Sequence, residues 1–234
     1  LLGIEDPGSS ISAIIQFGSV FAIFWYFRKD FYNLNNPWSK KIFDSFLNKK
    51  LFKSIFIGTL PIVFLGGIIK LIIPEFFDTI LRSNLSIAIL SLLMALFMYL
   101  ADLPRNSFIN IKNHNHIDSL LIGFFQAFAI IPGVSRSGVT ISGALFYGWE
   151  RRDAAKFSFI LGIPAISLAA IFEFIFSFNQ VFTFSFLPLI VGLITTFLSS
   201  LFAINFCIKY LSSYGLKLFI YYRLLFGILI LLNL

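Results

Sequence analysis

The sequence predicts an all-α, polytopic membrane protein with six spanning helices and one re-entrant helical hairpin. Three observations carry that prediction. Apolar residues fill 58% of the 234 positions and charged residues only 12%, against roughly 25% charged in a soluble domain. Several apolar stretches reach the ~20 residues needed to cross a hydrocarbon core ~30 Å thick. These stretches are continuously apolar rather than alternating, which argues against a transmembrane barrel. In such a chain the net charge of +7 marks cytoplasmic loops, not a nucleic-acid partner. The single Cys207 excludes an internal disulfide and reads as a small packing residue.

The first span covers residues 9–27 and ends in an aromatic and basic border at Trp25, Tyr26, Arg28 and Lys29. A polar connector follows to about Lys53, with Asn36-Pro37 as its turn. The second span runs from about Ser54 to Ile73, where Pro61 and the pair Gly66-Gly67 are expected to bend the helix or permit close packing; Pro74 closes it. The third covers about Leu85 to Ala101. A polar loop with His114 and His116 leads into 118–149, which is apolar except at 132–138. Its histidines are expected to be solvated. Three more spans follow at about 156–177, 184–207 and 217–234.

Basic residues set the topology. The connector holds Arg28, Lys29, Lys40, Lys41, Lys49, Lys50 and Lys53, so it lies in the cytoplasm. Loop 74–84 is then external and loop 102–117, with Arg105 and Lys112, internal. If 118–149 crossed once, Arg151, Arg152 and Lys156 would lie outside. If it enters and leaves on one side, they are cytoplasmic, and so are Lys209 and Lys217. The second arrangement places fourteen of the eighteen basic residues inside and leaves only Arg82 in an external loop. Lys70 lies near an outer helix end, where it can snorkel. Each arm, about 118–131 and 135–149, spans roughly 21 Å at ~1.5 Å per residue. That reaches the middle of the membrane and stops.

At the turn the sequence reads PGVSRSGVT, residues 132–140. An arginine beside a broken helix inside a membrane is a functional-site hypothesis by default. Ser135 stands where an N-cap would stand, before a helix that opens with Arg136, Ser137 and Gly138. A helix start offers unpaired N–H donors and partial positive charge. Arg136 adds a guanidinium fork suited to phosphate oxygens, and Ser135, Ser137 and Thr140 add hydroxyls. Gly133 and Gly138 are expected to let a ligand approach the backbone. Together these groups describe an anion site, with phosphate its natural ligand. The alternative is a plain cap with an arginine that snorkels or pairs internally. Gln126, ahead of the break, suits either a phosphate oxygen or a neighbouring helix. Arg223, inside the last span, either snorkels to the cytoplasmic surface or faces the interior near the tip. Glu173 lies in a span, its role open. No cluster of metal ligands is visible near the tip, and the phosphatase element built on a membrane-facing Ser-Gly-His is missing, so these residues make half a site.

From Asp118 to Ile166, around the PGVSRSGVT core, the chain closely resembles the undecaprenyl-pyrophosphate phosphatases of the bacitracin-resistance type. The opening LLGIEDPG, the following IIQFGSVFAIFWYFRKD and the terminal YYRLLFG are similar to that family as well. The resemblance implies hydrolysis of the terminal phosphate of undecaprenyl pyrophosphate in the bacterial inner membrane, with the site opening outward. Recycling of this lipid carrier for peptidoglycan synthesis and bacitracin resistance follow from the same resemblance. It also implies a divalent cation, Mg or Ca. Arg136 and Ser135 would be catalytic; Ser137, Thr140, Gly133, Gly138, Gln126 and Arg223 would bind substrate. The expected partners are the polyprenyl pyrophosphate, membrane lipid and a second copy of the chain. The family carries an N-terminal glutamate-rich motif followed by a Ser-Ser-x-Gly-His-like segment. The chain starts at Leu1, just past where that motif belongs, and Glu5 and Asp6 do not substitute for it. We therefore expect a preceding segment that holds the cation ligands and forms a first hairpin. Residues 1–101 and 118–234 would then be inverted repeats in one membrane domain. Two other classes remain open: a transporter or flippase for a phosphate-bearing lipid, and an accessory structural subunit, which would give Arg136 no purpose.

Overall fold

The computed structural model describes residues 8–28, 49–72, 81–104, 106–111, 113–176 and 186–233. The Asn36-Pro37 turn, Lys29, Lys40, Lys41, Arg105, Lys112, Glu5, Asp6 and loop 178–183 fall outside these residues, as do the side chains of Lys70 and Glu173. The described chain is helical, with α1 Gly8–Tyr26, α2 Lys49–Ile72, α3 Asn84–Asp102, α4 His116–Ala127, α5 Arg136–Phe146, α6 Arg151–Phe176, α7 Phe186–Tyr214 and α8 Lys217–Leu232. Its one β feature among the described residues is an isolated bridge between Ile109 and Trp149. Four helical stretches are long and apolar enough to cross a membrane: Lys50–Ile69, Asn84–Asp102, Arg151–Phe172 and Leu187–Tyr214. Ile14–Tyr26 and His116–Ile130 are apolar but shorter. This is a helical membrane protein.

Several helices outlast the spans read from hydropathy. Arg151 and Arg152, outside the span expected from about residue 156, open α6, and Lys209, outside the span expected to end at 207, lies inside α7. Charged residues end an apolar stretch but do not end a helix, because Arg and Lys are good helix formers. Asp153 in the first turn of α6 complements its dipole.

Two compact units divide the chain, Leu1–Leu47 with Ile163–Cys207 and Asn48–Gly162 with Ile208–Leu234. In the first, Gly18 and Gly192 are the close-approach points of α1 and α7. A Cβ on Gly18 would lie 2.6 Å from the Leu193 carbonyl oxygen, and one on Gly192 would lie 2.8 Å from Ile15. The Tyr26 hydroxyl donates to Asn205 Oδ1 at 3.3 Å. The Arg28 guanidinium lies 4.6 Å from the Trp25 ring centroid.

In the second unit, α4 packs along α2, α8 along α3, and α5 against both α3 and α4. The glycines that permit the α2–α4 approach are not Gly66 and Gly67. A Cβ on Gly67 would meet nothing within 4 Å, whereas one on Gly123 would collide with the Gly58 carbonyl oxygen. Between these helices and α6 sits a compact core of Trp149, Phe157, Ile122, Ile160 and Leu161, all fully buried.

His114 belongs to that core, contrary to the solvated loop expected for it. It is 1% exposed, and its ring lies 5.4 Å from that of Trp149 and 5.6 Å from that of Phe157. Its Nδ1 lies 2.8 Å from the Ile111 carbonyl, which can only accept, so Nδ1 carries the proton. Nε2 then accepts from the Ser54 hydroxyl at 2.8 Å. A histidine with both nitrogens satisfied and two aromatic neighbours pays for its burial with two hydrogen bonds. His116 is half-buried, with Nδ1 3.3 Å from Ser54 Oγ.

Burial pulls the His114 imidazole below its ordinary value, Lys50 and His116 add to the fall, and the Ile111 bond and Asp118 oppose it. Since the folded value lies below the unfolded one, the unfolded chain takes up the proton first as pH falls. The stabilisation is full above about pH 6.5 and is lost as pH drops through the lowered native value. The thermal midpoint of the purified protein is expected to fall between about pH 7 and pH 5, with a smaller fall in His114→Gln. Equal slopes in the two proteins would contradict this assignment.

At the loop end of this unit the Asp102 carboxylate ties three helix ends together. Its Oδ1 pairs with Arg151 Nη2 at 2.8 Å, and its Oδ2 accepts the Leu216 N–H at 2.9 Å, just ahead of α8. Asp102 closes α3, Arg151 opens α6 and Leu216 caps α8. Gly215, at φ 69°, has no room for a Cβ beside this carboxylate.

Candidate phosphate site at the helical break

The segment 116–146 folds as two short helices joined by a break. Asn115 caps α4 through a reciprocal box: its side chain accepts the Asp118 N–H at 2.8 Å and its own N–H reaches Asp118 Oδ2 at 2.7 Å. The helix tightens into a 3₁₀ turn at Phe128–Ile130 and stops. Pro132 and Gly133 then make a turn closed by the Val134 N–H on the Ile131 carbonyl at 3.1 Å. Gly133 has φ 91°, as the third residue of a type II turn requires. Ser135 is the N-cap of α5, its hydroxyl accepting the Gly138 N–H at 3.2 Å. α5 ends at Phe146, and Gly148, with φ 82°, turns the chain toward α6.

Among the described residues, the Arg136 and Ser137 N–H groups have no acceptor. They are the two donors that a capped helix leaves open. Arg136 is half-buried, and its Nη1 is buried without a hydrogen-bond partner. The guanidinium lies against α6 at Gly162, where a Cβ would overlap it. Gln126, in the last turn of α4, is fully buried, and both its side-chain nitrogen and oxygen lack partners. A buried polar group without a partner costs about 1–3 kcal/mol. Two such side chains, one on each arm of the break, are left unsatisfied by the described residues.

Arg223 reaches the break from α8. Its Nη1 donates to the Gly133 carbonyl at 2.9 Å and to Ser91 Oγ at 3.3 Å. Of the two readings open for it, the interior one is observed. The remaining residues divide. Ser137 is half-buried at the helix start. Thr140 is fully buried and its hydroxyl is committed to the Arg136 carbonyl at 2.8 Å and to Ser158 Oγ at 2.5 Å. The two glycines make room for protein. A Cβ on Gly133 would crowd Ile87 and Leu90 of α3, and one on Gly138 would meet Ser135 and the Met98 sulfur. They seat the break on α3, where open backbone for a ligand was expected.

Two partners of the site residues carry no motif in the sequence: Ser91, which meets Arg223, and Ser158, which meets Thr140. Ser158 carried a readable signal, a hydroxyl between Phe157 and Phe159 in an apolar span, where it needs a partner. An open cleft of about 550 Å³ lined by Leu103, Ser107, Glu150, Arg151, Arg152 and Ser212 contains none of the break residues. No group of three or more His, Cys, Asp or Glu side chains that could hold a metal ion occurs among the described residues.

The family described as bacitracin resistance protein BacA matches residues 1–229. The chain is 67% identical to a protein of Prochlorococcus marinus strain MIT 9215 named undecaprenyl-diphosphatase, over all of this chain and 88% of that protein. It is 68% identical to the undecaprenyl-diphosphatase of strain AS9601, over 85% of the relative. The similarity extends to the undecaprenyl-diphosphatase of Trichodesmium erythraeum, 41% identical over 99% of this chain and 76% of the other.

Proposed function

The chain belongs to the bacitracin resistance protein BacA family, and from that premise we propose that it hydrolyses undecaprenyl pyrophosphate to undecaprenyl phosphate and inorganic phosphate. The observation that carries the reading from family to residues is the unpartnered, buried Nη1 of Arg136, a side chain carried by the first residue of a capped helix whose first two N–H donors are open. In the reaction an oxygen nucleophile attacks the terminal phosphorus. The bond from that phosphorus to the bridging oxygen breaks, and its electron pair leaves with undecaprenyl phosphate. Charge grows on the transferred phosphoryl oxygens and on the bridge. A guanidinium and fixed N–H dipoles, held in surroundings poor in water, stabilise that charge without reorganising.

In this reading Arg136 and the N–H groups of Arg136 and Ser137 hold the phosphoryl group, Ser135 holds the helix start in shape, and Gln126 offers one donor and one acceptor. Arg223 holds the Gly133 carbonyl. The divalent cation implied by the family resemblance is part of the proposal, but the described residues gather no ligand set for it, and no step is routed through one. The six-span topology with a hairpin entering from the cytoplasm, placement in the bacterial inner membrane and a role in peptidoglycan synthesis belong to the same proposal. Arms of 12 and 11 helical residues support the hairpin, since at ~1.5 Å per residue neither crosses a bilayer.

Purified full-length protein in detergent, given undecaprenyl pyrophosphate, is expected to release one inorganic phosphate per lipid. Transbilayer movement of the lipid in vesicles with no phosphate released would replace the phosphatase reading by a transporter.

A further inference from the structure

The hydroxyl of Ser158 is buried in α6, outside the segment that forms the break, and the acceptors around Thr140 assign its hydrogen bond a direction. Thr140 Oγ1 lies 2.8 Å from the Arg136 carbonyl oxygen, 3.3 Å from that of Ser137 and 2.5 Å from Ser158 Oγ. Carbonyl oxygens only accept, and a threonine hydroxyl has one proton. That proton goes to the nearer carbonyl, Arg136. The contact with Ser158 is then made by the Ser158 proton on the Thr140 lone pair. The chain of donors runs one way, from Ser158 to Thr140 to the Arg136 carbonyl.

The end of that chain is not an arbitrary carbonyl. The Arg136 C=O and the Ser137 N–H belong to one planar peptide group, and the Ser137 N–H is one of the two donors open at the helix start. A bond accepted at the oxygen of an amide draws charge toward that oxygen and strengthens the N–H as a donor. It also holds the peptide plane, and with it the direction of the N–H. We propose that Ser158 is a positioning residue for the phosphate site, acting through Thr140 on the peptide group that presents the Ser137 N–H. The proposal rests on the phosphatase reading above. It accounts for the hydroxyl of Thr140 being turned away from the ligand side into the helix. It also accounts for a serine, 1% exposed, among phenylalanines.

The test is a double-mutant cycle in the full-length protein, with phosphate release from undecaprenyl pyrophosphate and thermal midpoint both measured. Ser158→Ala is expected to lower kcat about tenfold, as loss of an outer partner of a reactive group commonly does, with little change in KM or thermal midpoint. In a Thr140→Val background, where the relay is already cut, Ser158→Ala is expected to cost nothing further. Independently of turnover, the Ser137 amide proton resonance is expected to move upfield in Ser158→Ala, as a weaker donor does. Wild-type kcat in Ser158→Ala, additive losses in the double variant, or an unmoved Ser137 amide resonance would each overturn the proposal. The resonance separates the two ideas: if wild-type protein releases no phosphate, the phosphatase reading fails while the relay is still judged by the amide shift.

Discussion

Arg136→Ala is expected to lower kcat for phosphate release about a thousandfold, the scale at which single charge-stabilising donors act in acyl and phosphoryl transfer. Nη1 is buried without a partner, so the folded protein bears the cost of a desolvated guanidinium before any substrate arrives. That cost is recovered when an anion completes its hydrogen bonds. Arg136→Lys keeps the charge but loses the planar fork, and a loss of about a hundredfold is expected because a point charge cannot bridge two oxygens. The thermal midpoint is expected to rise or hold in Arg136→Ala, since the unsatisfied group is gone. Retention of more than about a tenth of wild-type kcat would remove Arg136 from charge stabilisation as described.

The second large effect falls on the fold. Gly123→Ala is expected to destabilise the protein by about 3 kcal/mol, the upper end of overpacking costs. An added methyl would collide with the Gly58 carbonyl oxygen and lie 2.7 Å from its carbon. These are backbone atoms of α2 and cannot rotate aside. The helices must separate, and with them the face of α4 that carries Gln126. A drop of about 10 °C in thermal midpoint is the expected reading for a chain of this size, while Gly67→Ala, facing open space, is expected to leave it unchanged. A Gly123→Ala midpoint equal to wild type would show that α2 and α4 are not held in contact there.

What the sequence made legible followed from local chemistry. The break at Pro132–Gly133, the cap at Ser135 and the helix start at Arg136 are dictated by residues within one turn of each other, so a linear reading reaches them. For Arg223 the sequence leaves two options, because the choice depends on Gly133 and Ser91, both far away in the chain. The close approach of Gly133 to Ile87 and of Gly138 to Met98 is out of reach for the same reason. A glycine announces that something comes close, but not whether it is a ligand or Ile87 on another helix. The polar sequence neighbours of His114 predict a solvated ring, while its neighbours in space are Trp149 and Phe157. Gly58 and Gly66-Gly67 look alike along α2, and only the partner helix distinguishes the glycine that packs from those that do not.

The knot at Asp102 acts as the zero mark of a ruler. α3 and α8 run away from it side by side. Ser91 stands eleven residues from Asp102 along α3, roughly 16 Å at ~1.5 Å per residue, and Arg223 stands seven residues from Leu216 along α8, roughly 10 Å. The shortfall of about 6 Å is spanned by the extended arginine side chain, which closes on Ser91 and the Gly133 carbonyl. The height at which Arg223 grips the break is thus counted out in helical residues from a carboxylate at the loop end. One residue more or fewer between Leu216 and Arg223 would turn the guanidinium by about 100° around α8, away from the turn it holds.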